Sequence, residues 1–334
     1  MIQKTMEFTM PGVKGKMTGA YEGRSRSAVI IGVDTAIGYA LAHSMRRAGF
    51  EVIGFGERKH SPCDCLADYR LTDYTSYDGI PEECNRLLFC HDAALHTERH
   101  VPALDALCRK LSENRLEKRG RQITVCLFTP ATACECKGRL VTEDAGLLPR
   151  SRRDVAYAHA ELTMHAWYVL AKTNIRPKFF RHGELYADMP EELPLAGHVM
   201  ACLRKVRRHE RLVSPGLGNL MRQVTHLEDF ANMVAVAVKQ EFMPTVTNIA
   251  GEPMSVLDYM IPLEDSPDME MPMDIGHYDD DYPDGIGDRL LYSPQFQPGR
   301  KYFLGYRPCH KYMEWAASLP PKPPKLRGFD LTKA

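Results

Sequence analysis

The first apolar run, Ser27 to Gly32 (SAVIIG), is short and ends on glycine, as a strand entering a tight turn does. From Ala36 to Ala48 apolar residues recur at helical spacing until Gly49 stops the pattern, and Glu51 to Phe55 (EVIGF) supplies a second run. The order is strand, turn, helix, strand. Strands that are apolar on both faces belong to a parallel sheet covered by helices on each side. Runs at Arg86 to Cys90, Gln122 to Phe128 and Lys178 to Arg181 predict further strands, with helices at Val101 to Glu117 and Val155 to Lys172. The alternation predicts an α/β fold, a doubly wound parallel sheet occupying residues 27–187.

After about Ala187 the alternation breaks and Pro and Gly become frequent, leaving a helix from Leu227 to Gln240 and a run at Val246 to Ala250. Residues 188–318 are therefore expected to form a smaller substrate lobe interleaved with the core. Met1 to Arg26 lacks the apolar segment of a secretory signal and reads as a flexible extension. The segment Leu263 to Arg289, with Asp279, Asp280, Asp281 and Asp284, reads as a solvated acidic loop, because a calcium loop needs ligands at fixed alternating positions. A Pro-rich tail, 319–334, opens with LPPKPPK and is expected to be extended.

Composition narrows the partners. Lys plus Arg and Asp plus Glu each total 43 in a chain of 334 residues, so no net field draws it to nucleic acid or an anionic membrane. The 44% hydrophobic content suffices for a core, yet no uninterrupted apolar stretch approaches the roughly 20 residues that span a bilayer. A soluble protein is expected. Ten cysteines spread over this length do not suggest a small disulfide framework, and they suit a reducing, cytoplasmic compartment.

Ordered landmarks carry a family resemblance. Gly32, Thr35, Ala36, Ile37 and Gly38 stand in a G-x-x-x-x-x-G turn, with Thr35 where a middle glycine is usual. Phe89 to Ala94 (FCHDAA) has the form H-x-A-A, and Val141 to Pro149 (VTEDAGLLP) contains T-E-D. Phe180 to Tyr186 (FRHGELY), Val224 to Val238 (VTHLEDFANMVAVAV), Asn248 to Gly251 (NIAG) and Tyr302 to Pro308 (YFLGYRP) follow in order. Over Ser27 to Trp315 the chain resembles extended short-chain dehydrogenases/reductases, the NAD-dependent epimerase/dehydratase group. The resemblance implies a Rossmann core binding NAD or NADP, with the pyrophosphate against the first helix N-terminus. It assigns cofactor contacts to Gly32, Thr35, Ala36, Ile37, Gly38, Glu57, Arg58, Leu71, Ala93, Ala94 and His182. It also implies a small-molecule ligand such as a nucleotide sugar, and a homodimer.

The catalytic set of that family is altered here. Its chemistry uses a Tyr, a Lys four residues later that lowers the Tyr pKa, and a Ser or Thr hydroxyl. In one register Arg153 takes the Tyr position and Tyr157 the Lys position, with Glu161 at the family's glutamate; in a second, Tyr157 is the Tyr and Glu161 replaces Lys. Thr129 is the hydroxyl candidate. At the end of the second strand, Glu57 would hold ribose hydroxyls, whereas Arg58 with Lys59 would favour a 2′-phosphate. The readings are a dinucleotide-binding protein acting in ligand sensing or assembly without Tyr–Lys hydride transfer, or an enzyme of altered chemistry using Tyr157, Thr129 or a cleft histidine such as His91 or His96. Cys63-Asp64-Cys65 and Cys134-Glu135-Cys136 could hold zinc if their loops met. The expectation is that they are unreactive thiols and that no metal is bound.

Overall fold

The computed structural model describes residues 27–264 except 94–95, 114–121, 136–139, 150, 171–174, 191, 194, 196, 209, 211, 216–220, 240–244, 250 and 252, together with 274–276 and 295–296. In strand β1 (Ser27–Ile31) alternation divides the apolar run between two cores: Ala28 and Ile30 join one cluster, Val29 and Ile31 another. The chain continues through helix α1 (Ala36–Arg47), β2 (Glu51–Gly56), β3 (Asp68–Leu71), β4 (Arg86–Phe89), α2 (Thr97–Glu113) and β5 (Ile123–Pro130). Then come β6 (Leu140–Val141), α3 (Arg152–Leu170), β7 (Ile175–His182), β8 (Glu184–Tyr186), α4 (His198–Arg207) and β9 (Val213–Pro215). They are followed by β10 (Met221–His226), α5 (Leu227–Lys239), β11 (Val246–Ile249), β12 (Pro253–Ser255), α6 (Val256–Glu264), β13 (Asp274–Gly276) and β14 (Gln295–Phe296).

Seven of these strands form one sheet in the order β11-β7-β5-β4-β1-β2-β3, and every neighbouring pair is parallel. This is the doubly wound α/β sheet expected from the alternation. Helices α1 and α5 pack together over one face, where Leu41, Met45, Phe230 and Val234 bury against Ile30 and Leu88. On the other face α2 and α3 bury Leu104, Leu107, Ala160 and Met164 against Val29, Leu87 and Val125. A third core, with Val199, Cys202, Tyr259 and Met260, joins α4 and α6 to the small sheet β12-β10-β8. β11, late in the sequence, returns to close one edge of the main sheet.

Among the elements that differ from expectation, two do so for simple reasons. Helix α2 starts at Thr97, before the expected Val101, because its first residues, Thr-Glu-Arg-His, are polar and give the apolar pattern nothing to mark; Pro102 lies within it. Strand β3 was not expected: Asp-Tyr-Arg-Leu has no apolar run, and as the edge strand it is half exposed. The 1–26 extension, the acidic residues 279–284, Tyr302 to Pro308 and the Pro-rich tail lie outside the described residues. Among the described residues no helix is long and apolar enough to cross a membrane.

Candidate functional site

In a doubly wound sheet ligands bind beyond the carboxyl ends of the strands, where the strand order reverses. Here the reversal lies between β1 and β4. A cleft opens at this point, lined on one side by Thr35, Ala36 and Ile37 and on the other by Phe89, Cys90, His91 and Asp92. The turn from β1 into α1 is drawn very close: a Cβ at Gly38 would lie 2.0 Å from the Gly32 carbonyl oxygen, and Gly32 itself has φ +80°. Thr35 caps α1, its Oγ1 accepting from the Gly38 amide at 3.1 Å. The same hydroxyl lies 2.8 Å from Gly32 O and 3.0 Å from Cys90 O, so its proton is directed into the protein. It is not aimed at a phosphate. Ala36 and Ile37 line the cleft, and as first-turn residues their N–H groups have no acceptor within the helix.

The end of β2 is organised by a residue the sequence did not single out. Asp34 Oδ2 accepts from the amides of Glu57 (2.7 Å) and Arg58 (3.2 Å), and its Oδ1 accepts from Tyr74 Oη (3.2 Å). Glu57 is held by Arg99 at 2.5 Å and lies 3.6 Å from His96. The Arg58 guanidinium turns to the carbonyl of Glu192. Leu71, at the end of β3, is exposed.

At the far wall His91 faces a second histidine, His100, set behind it. His91 and His100 are buried with their Nδ1 atoms 3.2 Å apart. Such a contact needs one ring to donate and the other to accept. Burial pushes His91 down to about 3 and His100 to about 4, so both are neutral. His91 Nε2 is buried without a hydrogen-bond partner.

Helix α3 forms the floor. Ser151 caps it, its Oγ accepting from the Asp154 amide (3.1 Å) and donating to Asp154 Oδ2 (2.7 Å). One turn apart, Arg153 and Tyr157 both line the cleft. Tyr157 donates to Asp92 Oδ1 at 3.0 Å, Arg153 approaches that oxygen to 3.8 Å, and the guanidinium carbon stands 5.6 Å from the Tyr157 ring centre. Burial raises the Tyr157 pKa, Asp92 raises it further, and Arg153 offsets only part of this. Glu161 lies outside the cleft lining, buried in a two-pronged pair with Arg181 (2.9 and 3.4 Å). Of the residues named in the two registers, Arg153 and Tyr157 face the cleft and Glu161 does not. Among the described residues no lysine lines the cleft.

Toward the third core the cleft continues past His182, Glu184, Gly197, His198 and Arg222. Glu184 accepts from the Val199 amide in the first turn of α4 (2.7 Å) and pairs with Arg222 (2.6 Å), both side chains being buried. His182 is buried, its Nδ1 lies 2.7 Å from Gly183 O, and desolvation pushes it down to about 4.

The structure thus brings Thr35, Ala36, Ile37, Tyr157 and His182 to one cleft. It does not bring Thr129, which is buried in β5 and absent from the cleft lining; Thr132, beyond the strand end, lines it and donates to Asp154 at 2.7 Å. The strand runs farther than its apolar pattern, to Pro130, and carries Thr129 inside. Ala93 is buried behind the wall, and Ala94 lies outside the described residues. Asp34, Asp92 and Glu184 were not singled out because they occupy variable positions of the motifs, and Arg222 because it lies outside them; only the fold shows what they face.

The sequence matches no protein-family model and no curated protein. Solved structures do match. An NAD-dependent NDP-hexosamine 5,6-dehydratase, TunA, involved in tunicamycin biosynthesis, is 16% identical with a TM-score of 0.66 over 87% of this chain and 96% of its own. UDP-glucuronic acid 4-epimerase from Bacillus cereus, in complex with UDP-glucuronic acid and NAD, is 14% identical, TM-score 0.62, covering 81% and 95%. dTDP-glucose 4,6-dehydratase from Bacillus anthracis, in complex with NAD, is 14% identical, TM-score 0.60, covering 89% and 91%. These are nucleotide-sugar epimerases and dehydratases, the group that the sequence landmarks resemble, and this chain has their Rossmann fold.

Proposed function

We propose that the protein binds a nicotinamide dinucleotide and a small-molecule ligand in this cleft without the Tyr–Lys hydride-transfer chemistry of the structures it resembles, serving ligand sensing or assembly. The arrangement of Arg153, Tyr157 and Asp92 carries the reading. A general base must give up its proton near the working pH. Tyr157 is buried, donates to a carboxylate and has no lysine beside it, so its proton is held. Arg153 does not exchange protons near neutral pH.

The cleft's residues fit a dinucleotide. The first-turn amides of α1 suit a pyrophosphate. Of the cleft-lining residues, His91 Nε2, Arg153 Nε and Arg222 Nε are buried with no hydrogen-bond partner, as groups awaiting a ligand would be. The Asp34 and Glu57 carboxylates at the end of β2 suit ribose hydroxyls and repel a 2′-phosphate, while Arg58 is turned away. NAD is therefore favoured over NADP.

Mass spectrometry of the ligand released from natively purified protein tests occupancy, and calorimetry tests choice. NAD is expected to bind at least about tenfold tighter than NADP. No binding of either nucleotide would remove the proposal. Turnover of a nucleotide sugar that is abolished by Tyr157→Phe would instead establish an active enzyme of altered chemistry.

A further inference from the structure

The two C-x-C segments do not pool their thiols. Cys134 packs with Ala131 and Val141 beside β6, and Cys136 lies outside the described residues. Cys63 and Cys65, on the segment joining β2 to β3, converge instead on His43 of α1, none of the three lining the cleft. Cys63 Sγ lies 2.9 Å from Cys65 Sγ and 3.6 Å from His43 Nε2, and the three donor atoms all fall within 4.8 Å of one another.

Several contacts hold this arrangement. Ser61 Oγ accepts from the Cys63 amide at 3.0 Å and donates to the Cys63 carbonyl at 2.8 Å, which fixes the turn. The Ala67 amide then bonds Val52 O at 2.8 Å and returns the segment to β2. On α1, Tyr39 packs edge-on against the His43 ring with centres 4.7 Å apart, limiting its rotation. Cys63 is buried while Cys65 and His43 are partly exposed, so the group has a dry floor and an open side.

Two sulfurs and one imidazole nitrogen are a borderline-soft donor set suited to tetrahedral zinc(II). Around an ion with Zn–S of about 2.3 Å and Zn–N of about 2.1 Å, neighbouring donors stand about 3.6–3.8 Å apart. The Cys63–His43 distance already meets this; the Cys63–Cys65 pair must open, which rotation of the partly exposed Cys65 allows. We propose that His43, Cys63 and Cys65 bind one zinc(II) ion, tying the β2–β3 segment to the cofactor-loop helix α1. Binding releases the two thiol protons to solvent, and water completes the fourth corner.

Titration of the reduced full-length chain with cobalt(II) under anaerobic conditions tests the site. Expected are about one ion per chain, a thiolate-to-cobalt charge-transfer band, the strong visible absorption of a tetrahedral ion, and loss of both on adding zinc(II). Cys65→Ser and His43→Gln are each expected to weaken binding by at least about tenfold, and Cys134→Ser to leave it unchanged. If a variant does not fold, wild-type protein still decides the matter: zinc(II) must slow alkylation of Cys63 and Cys65, read by peptide mass spectrometry. Cobalt binding without charge transfer, binding untouched by Cys65→Ser, or alkylation indifferent to zinc(II) would overturn the proposal. Each readout is independent of dinucleotide binding.

Discussion

A hydrogen bond between two neutral imidazoles, His91 and His100, ties the core beside the cleft to pH. These rings and His182 are pushed down to about 3, 4 and 4 by burial, whereas unfolded histidines titrate near about 6.5. Between those values the unfolded chain holds more protons than the folded one. The associated stability is therefore complete above about pH 6.5 and is lost as pH falls through the window toward 4. His91→Gln, which keeps a polar partner for His100, is expected to flatten this acid limb by up to about 1.4 kcal/mol per pH unit. Urea midpoints measured across the window check it, and an unchanged slope would count against the neutral pair. At Gly38 the constraint is steric: a methyl placed 2.0 Å from Gly32 O forces β1 and α1 apart. Gly38→Ala is expected to cost about 1–3 kcal/mol and to weaken NAD binding, measured by denaturation and calorimetry. Gly38 was legible in the sequence because close approach admits so few residues; Asp34 and Asp92 were not, because a carboxylate at a variable position acquires meaning only from the amides and hydroxyls that reach it.

The elements are held by unequal forces, and the inequality can be measured. Between α3 and β7 the Glu161–Arg181 pair is almost fully buried, at 1% and 5% side-chain exposure, and Arg181 also donates to Ala145 O at 2.8 Å. Between α1 and α5 the Arg47–Glu228 pair is 55% and 36% exposed, a geometry that water and salt screen. Glu161→Gln leaves a buried guanidinium without its counter-charge and is expected to cost about 3–5 kcal/mol, whereas Arg47→Ala is expected to cost under about 1 kcal/mol. Chemical denaturation of the two variants decides, and equal losses would refute the ranking. The same elements show which parts the sequence discloses. β1, β2, β4 and β5 are buried on both faces, so their apolar runs were conspicuous. Strand β3, open to solvent at the sheet edge, and the three-residue strands β8 and β12 carry too few periodic positions to be read. Thr129 lies within β5 for a related reason: the pattern marks where an apolar run stops, not where the backbone pairing stops.

Across the whole molecule the cleft joins two cores, the loop ends of the seven-stranded sheet and the small sheet with α4. At the second end an internal carboxylate occupies ground suited to an anion. Glu184 takes up the Val199 amide at the start of α4 and the Arg222 guanidinium of β10, the two kinds of group that otherwise receive a phosphate. The pair therefore both fixes β8, β10 and α4 to one another and fills their shared positive site. Glu184→Ala is expected to destabilise the protein by about 3–5 kcal/mol, since Arg222 is left buried and uncompensated. It is also expected to create a site for inorganic phosphate. At tenfold its Kd, phosphate should return about 1.4 kcal/mol to the variant and much less to the wild type, whose site Glu184 already occupies. Thermal unfolding with and without phosphate separates the outcomes. An equal shift in both proteins would mean that Glu184 is a structural tether alone, and a selective shift would mean that one acidic side chain sets the charge of ligand this end of the cleft accepts.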